Sequence, residues 1–139
     1  MTQAFSDHHE APTLELELEP APEAPAVARA ALAEFSETHG IDADTRATVL
    51  LLVSELVTNA VVHPDVQPPD DIGMHVRMTE LVIRVEITDQ GSGFTPAPRN
   101  PAQIDGGYGL YLLSQAASRW GVESGDGTTV WFEVPAQAG

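Results

Sequence analysis

Three polar side chains recur every four residues in the otherwise apolar run Glu55-Leu56-Val57-Thr58-Asn59-Ala60-Val61-Val62-His63. Positions four apart lie above one another on a helix, so Glu55, Asn59 and His63 would form a single stripe. Polar groups on the inward side of an apolar helix cost free energy unless each finds a partner. Neighbouring backbone and water can supply one; so can a ligand. A rise of about 1.5 Å per residue sets Glu55 and His63 roughly 12 Å apart along the axis, with Asn59 about 6 Å from either. One metal ion cannot touch all three.

Two further motifs limit what the ligand could be. In Asp89-Gln90-Gly91-Ser92-Gly93 a carboxylate is followed by two glycines, which places an acceptor beside backbone that a ligand can approach closely. Asp89 could accept from an amino group such as that of adenine, although an acidic glycine turn after a strand reads equally well as a plain turn. In Gly106-Gly107-Tyr108-Gly109-Leu110 the glycines precede a helix, whose free N–H groups and dipole suit a phosphate. A simple helix-opening turn is the other reading. No Lys-Ser or Lys-Thr follows, so this is not a P-loop, and the strand, glycine and helix order of the dinucleotide fingerprint is missing.

Hydropathy patterning indicates the elements that must hold these residues. Residues 1–12 show no apolar periodicity and are expected to form an acidic arm; His8 and His9 there read as solvated rather than metal-binding. Leu14, Leu16 and Leu18 alternate with Glu15, Glu17 and Glu19, the period of a half-buried edge strand. Pro20, Pro22 and Pro25 precede an expected helix over 26–38, with Val27, Ala31, Leu32 and Phe35 inward and Gly40 as its stop. Asp42 or Asp44 should cap the central helix, which Pro64 ends. Residues 72–78 and 81–88 alternate as a hairpin turning at Thr79-Glu80, with Leu81, Ile83, Val85 and Ile87 on one face. Residues 90–106 form the longest irregular stretch. A helix over about 108–118 and two strands, 120–123 and 128–134, joined by Ser124-Gly125-Asp126-Gly127, complete the chain.

Composition removes several function classes. A chain of 139 residues fits one domain, here 13–136, without disulfide staples, and it has no cysteine for thiolate chemistry. No apolar run approaches the roughly 18 residues of a membrane span, and no signal peptide opens the chain, so a cytoplasmic location is expected. The net charge is −15, from 21 acidic residues against six arginines and no lysine. Such a surface repels nucleic acid and anionic membranes. An anionic nucleotide would therefore be held by backbone N–H groups, a helix N-terminus and a divalent cation.

The order of these features is more specific than any of them alone. A helix carrying Glu55 and Asn59, a strand ending in Asp89-x-Gly91-x-Gly93, a loop, Gly107-x-Gly109 opening a helix, and Thr128-Thr129 entering the last strand resemble the GHKL (Bergerat-fold) ATP-binding superfamily. The wording Ser54-Glu55-Leu56-Val57-Thr58-Asn59-Ala60 is most similar to the anti-sigma factor serine/threonine kinase branch. The resemblance implies an α/β two-layer sandwich, with a mixed, mostly antiparallel sheet covered by helices on one face. It further implies that Asn59 binds the Mg2+ of ATP, that Glu55 is the general base, and that Asp89 accepts from the adenine amino group. Gly91 and Gly93 would line the base, Thr129 would add a polar contact there, Gly107 and Gly109 would cradle phosphates, and residues 94–106 would be the lid. His63 takes no chemical role, and Arg99 is the one arginine placed to reach a γ-phosphate. The implied partners are a sigma factor and a STAS-domain antagonist, with homodimers common among relatives. Alternatives are an ATP-dependent binding module without turnover and a detached histidine-kinase catalytic domain; the latter lacks a preceding phosphoacceptor helix.

Overall fold

The computed structural model describes residues 11–62, 71–89, 108–125 and 127–136. Five strands form one sheet in the order β1-β2-β3-β5-β4, comprising β1 (Thr13–Leu18), β2 (Ile72–Met78), β3 (Val82–Asp89), β4 (Arg119–Ser124) and β5 (Thr128–Pro135). Helices α1 (Ala24–Thr38), α2 (Ala43–Val62) and α3 (Tyr108–Ala116) complete a two-layer α/β sandwich. The expected mixed sheet is antiparallel at every described pairing. Both hairpins, β2–β3 and β4–β5, close with short turns, which only antiparallel neighbours allow.

The helices form where the local signals place them. Pro25 lies in the first turn of α1, where its missing N–H costs no hydrogen bond. Ala24, Ala28, Leu32 and Phe35 form the buried line of this helix. Val27 was expected inward but is 51% exposed, because anchoring on Leu32 and Phe35 turns Ala28 to the core and leaves Val27 about 100° away. Gly40 stops α1 with φ 69°, and the Ile41 N–H reaches back to the Ser36 carbonyl at 3.0 Å. Helix α2 begins with Asp42 Oδ1 accepting from the Thr45 N–H at 2.9 Å.

Strand β3 starts one residue later than expected. Thr79 Oγ1 accepts from the N–H groups of Leu81 and Val82 at 3.2 and 3.0 Å, so Leu81 is taken into the bend and is 79% exposed. Ile83, Val85 and Ile87 turn inward as anticipated, and with Val76, Phe132 and Val134 they build the sheet's side of the core. From the helices, Leu32, Leu52, Val53, Leu56 and Val57 fill the facing layer. Each such side chain contributes about 1.5–3 kcal/mol on burial.

The other face of the sheet is polar. Cross-strand pairing sets Arg77, Arg84, Glu133 and Arg119 in one row, and Glu15, His75, Glu86, Trp131 and Gly121 in the next. Arg84 donates from Nε to Glu86 at 3.0 Å and from Nη1 to Glu133 at 3.1 Å, while Arg119 reaches the other Glu133 oxygen at 3.4 Å. Burial opposes the Arg84 charge, but the hydrogen bonds and attraction from Glu86 and Glu133 outweigh it and raise its pKa above the usual arginine value. The Arg84 guanidinium lies 4.1 Å over the Trp131 ring, and Arg119 lies 5.6 Å from it. Trp131 packs so closely on Gly121 that a Cβ there would meet its ring at 2.8 Å.

Candidate functional site

Helix α2 packs against β3 and β5 on one side and against α1 and α3 on the others. Glu55 and Asn59 lie in the C-terminal half of α2, and Asp89 is the last residue of β3. Val49, Leu52, Val53, Leu56 and Val57 are buried, whereas Glu55 and Asn59 are half-buried at the margin of that apolar face. Glu55 lies one turn before Asn59, about 6 Å along the axis.

The Asn59 amide carries the distinctive feature of this margin. Its Nδ2 atom is buried and has no hydrogen-bond partner. A buried amide left unsatisfied costs about 1–3 kcal/mol, which folding alone does not return. An amide offers both an oxygen acceptor and an N–H donor, so a group bound here could meet a hard cation, a phosphate oxygen or water. No group of three or more His, Cys, Asp or Glu among the described residues could hold a metal ion by itself. Of the two polar atoms of the Asn59 amide, the oxygen is the one that would hold a Mg2+ ion, while the unpartnered Nδ2 would donate to a phosphate oxygen or water.

Asp89 is half-buried at the last position of β3, and its Cα partner is Thr128. It shares the parity of Ile83, Val85 and Ile87 and so belongs to the helix-facing side of the sheet. Thr128 has the same parity as the buried Val130, Phe132 and Val134, and it is itself 3% exposed. Thr129 is on the opposite face: its Oγ1 lies 3.0 Å from Thr88 Oγ1, and these two residues are Cα partners. The side chain across from Asp89 is therefore that of Thr128, one position before the expected residue. The alternation of Val130, Phe132 and Val134 could have shown this, since it fixes which threonine faces inward.

Gly109 lies in the first turn of α3, next to the N-terminus to which the phosphate role was assigned. Gly91, Gly93, Gly107, His63, Arg99 and the whole 94–106 lid lie outside the described residues. On the far side of α2, Arg29 Nη1 donates to Ser54 Oγ at 2.8 Å and ties α1 to α2. Glu55 follows about 100° further round the helix. No helix among the described residues is long and apolar enough to cross a membrane.

Comparison with known proteins agrees with this fold. The chain is similar to the crystal structure of the RsbU and RsbW domains of Rv1364c from Mycobacterium tuberculosis, with a TM-score of 0.70 and 23% sequence identity. The match covers 88% of this chain but 32% of that one, so the chain spans about a third of the protein it matches. At this identity the likeness establishes the fold. A family model of the histidine kinase-like ATPase domain matches residues 18–134, a span that includes α2, β3, α3 and the Asp89–Thr128 pair. The chain belongs to the histidine kinase-like ATPase domain family.

Proposed function

We propose that the protein binds Mg-ATP against α2 and transfers its γ-phosphoryl group to a serine or threonine hydroxyl of a STAS-domain antagonist, while also sequestering a sigma factor. The single observation that carries this reading is the buried Asn59 Nδ2 donor without a partner, one turn from the Glu55 carboxylate. Family membership supports the nucleotide, since the matching model is that of an ATPase domain. The sigma factor and the antagonist rest on the motif wording around Glu55.

In this reading Asn59 and the phosphate oxygens hold Mg2+, which supplies neutralisation of the triphosphate charge when bound. Asp89 accepts from the adenine amino group, and Thr128 lies across from it on the same side of the sheet. Gly109, with Gly107, offers N–H groups at the start of α3 to the phosphates. Gly91 and Gly93 line the base. Glu55 orients the acceptor hydroxyl and takes its proton as the hydroxyl oxygen bonds to the γ-phosphorus and the bond to ADP breaks. Positioning and charge stabilisation account for most of the rate in this chemistry, which suits a chain with no lysine.

Thermal-shift titration with Mg-ATP, Mg-ADP and GTP tests the binding step; stabilisation by the adenine nucleotides alone is expected. Phosphoryl transfer from labelled ATP to purified STAS-domain proteins tests the chemistry, with Glu55→Ala retaining the thermal shift and losing transfer. An ATP-dependent complex that Glu55→Ala leaves unchanged, with no transfer by the wild type, would instead identify a binding module.

A further inference from the structure

The two edges of the sheet are built differently. On β1 the exposed Glu15 and Glu17 lie two apart and Pro12 directly precedes the strand, and charge and proline are what keep an edge from pairing further. Strand β4, the opposite edge, contains neither proline nor lysine, and among the described residues one side of its backbone has no neighbouring strand. On its helix-facing side Trp120 is 37% exposed although its cross-strand partner Phe132 is fully buried, and Val122 is half-buried. The apolar layer thus runs out to the edge uncovered. On the open side Arg119, Gly121 and Glu123 alternate. The Arg119 side chain is 70% exposed and reaches Glu133 at 3.4 Å, while Glu123 makes no hydrogen bond or ion pair among the described residues. Between them, a Cβ on Gly121 would lie 2.8 Å from Trp131 Nε1, so the indole N–H reaches the edge strand. That N–H has no acceptor among the described residues.

We propose that β4 accepts an extended segment of a partner protein as a sixth, antiparallel strand, chosen by an alternating pattern of side chains. Residues directly opposite one another in a sheet share a face, so the edge dictates the pattern. From Ser124 back to Arg119, the segment opposite runs base, apolar, hydroxyl, apolar, acid. The base faces Glu123, the two apolar residues cover Val122 and Trp120, the hydroxyl accepts from Trp131 Nε1 above Gly121, and the acid pairs with Arg119. Antiparallel addition continues a sheet in which every described pairing is antiparallel. In strand addition the main-chain hydrogen bonds give affinity and the alternate side chains give specificity. A segment with charges of one sign is rejected, because it sets a like charge against either Arg119 or Glu123. A second copy of the chain is disfavoured as the occupant, since two molecules of net charge −15 repel. A short segment with one acid and one base meets no such repulsion.

The test titrates the full chain into the amidated heptapeptide Thr-Lys-Val-Thr-Val-Glu-Thr, labelled at its N-terminus, and follows fluorescence polarisation. A dissociation constant of roughly 10–100 µM is expected, and exchanging the peptide's Lys and Glu should raise it about tenfold. Arg119→Glu should weaken the parent peptide about tenfold, and replacing the peptide's Glu by Arg should restore binding to that variant to within about threefold of the original pair. The Arg119 side chain is exposed, so the variant should keep the wild-type circular dichroism. N-methylation reads the backbone directly, because the N–H groups of an added strand point alternately toward and away from the edge. Methylating the two valines, or instead the Lys, the central Thr and the Glu, should abolish binding in one peptide and spare it in the other. No binding up to about 1 mM overturns the proposal, as do equal behaviour of the two methylated peptides and indifference to the charge exchange. A dimer of the chain that Arg119→Glu dissociates in sedimentation velocity also overturns it, by giving the edge to a second copy.

Discussion

The two faces of the sheet treat their polar groups in opposite ways. On the open face, Glu133 is nearly buried yet held by two arginines, Thr88 is bonded to Thr129, and His75 sits 3.5 and 3.8 Å from Glu15 and Glu86. On the helix side nearly everything is apolar, and the half-buried amide of Asn59 has a donor with nothing to meet. The open face is largely satisfied by its own strands. The helix side is complete as a core but leaves one buried polar donor without a partner.

The contrast can be broken most severely at the core itself. Phe132→Ala should lower stability by about 3–5 kcal/mol in urea denaturation, because a fully buried ring leaves a cavity beneath α2. On the open face, Gly121→Ala drives a methyl into the Trp131 ring and should cost about 1–3 kcal/mol, with loss of the Arg84–tryptophan stacking measurable by near-UV circular dichroism. Asn59→Leu sharpens the comparison in the other direction. Removing an unsatisfied amide should raise stability without nucleotide by about 1 kcal/mol while abolishing the Mg-ATP thermal shift. A variant that is less stable and still shifts would mean that the amide belongs to the fold. The smallest effect separates the adjacent threonines: Thr128→Val should weaken ATP binding, whereas Thr129→Val should cost about 1 kcal/mol or less of stability and leave binding alone.

Much of the fold was legible because each element carried a local signal. The Leu-Glu alternation specified β1, Asp42 marked the start of α2, and Gly40 the end of α1. Errors arose where a neighbour outside the local pattern decided the outcome. Thr79 drew Leu81 into a turn through side-chain hydrogen bonds, and the packing of Leu32 and Phe35 rotated α1 away from Val27. Spacing along the chain was enough to put Glu55 and Asn59 one turn apart on α2 and Asp89 at the end of β3. The choice between Thr128 and Thr129 required the strand's inward alternation, and the open-face rows required the register of five strands separated widely in sequence. No spacing rule along the chain brings Arg119 beside Glu133 or sets Arg77 opposite Arg84.

The packing of Trp131 on Gly121 also has an optical consequence. The chain has two tryptophans, and their surroundings differ. Trp131 is stacked beneath a guanidinium on the open face, whereas Trp120 is 37% exposed on β4, paired with the buried Phe132 on the helix-facing side. Each indole thus reports on a different side of the sheet. With Trp120→Phe the remaining emission follows events on the open face, and with Trp131→Phe it follows those on the helix-facing side, so the two sides can be recorded separately without an attached label.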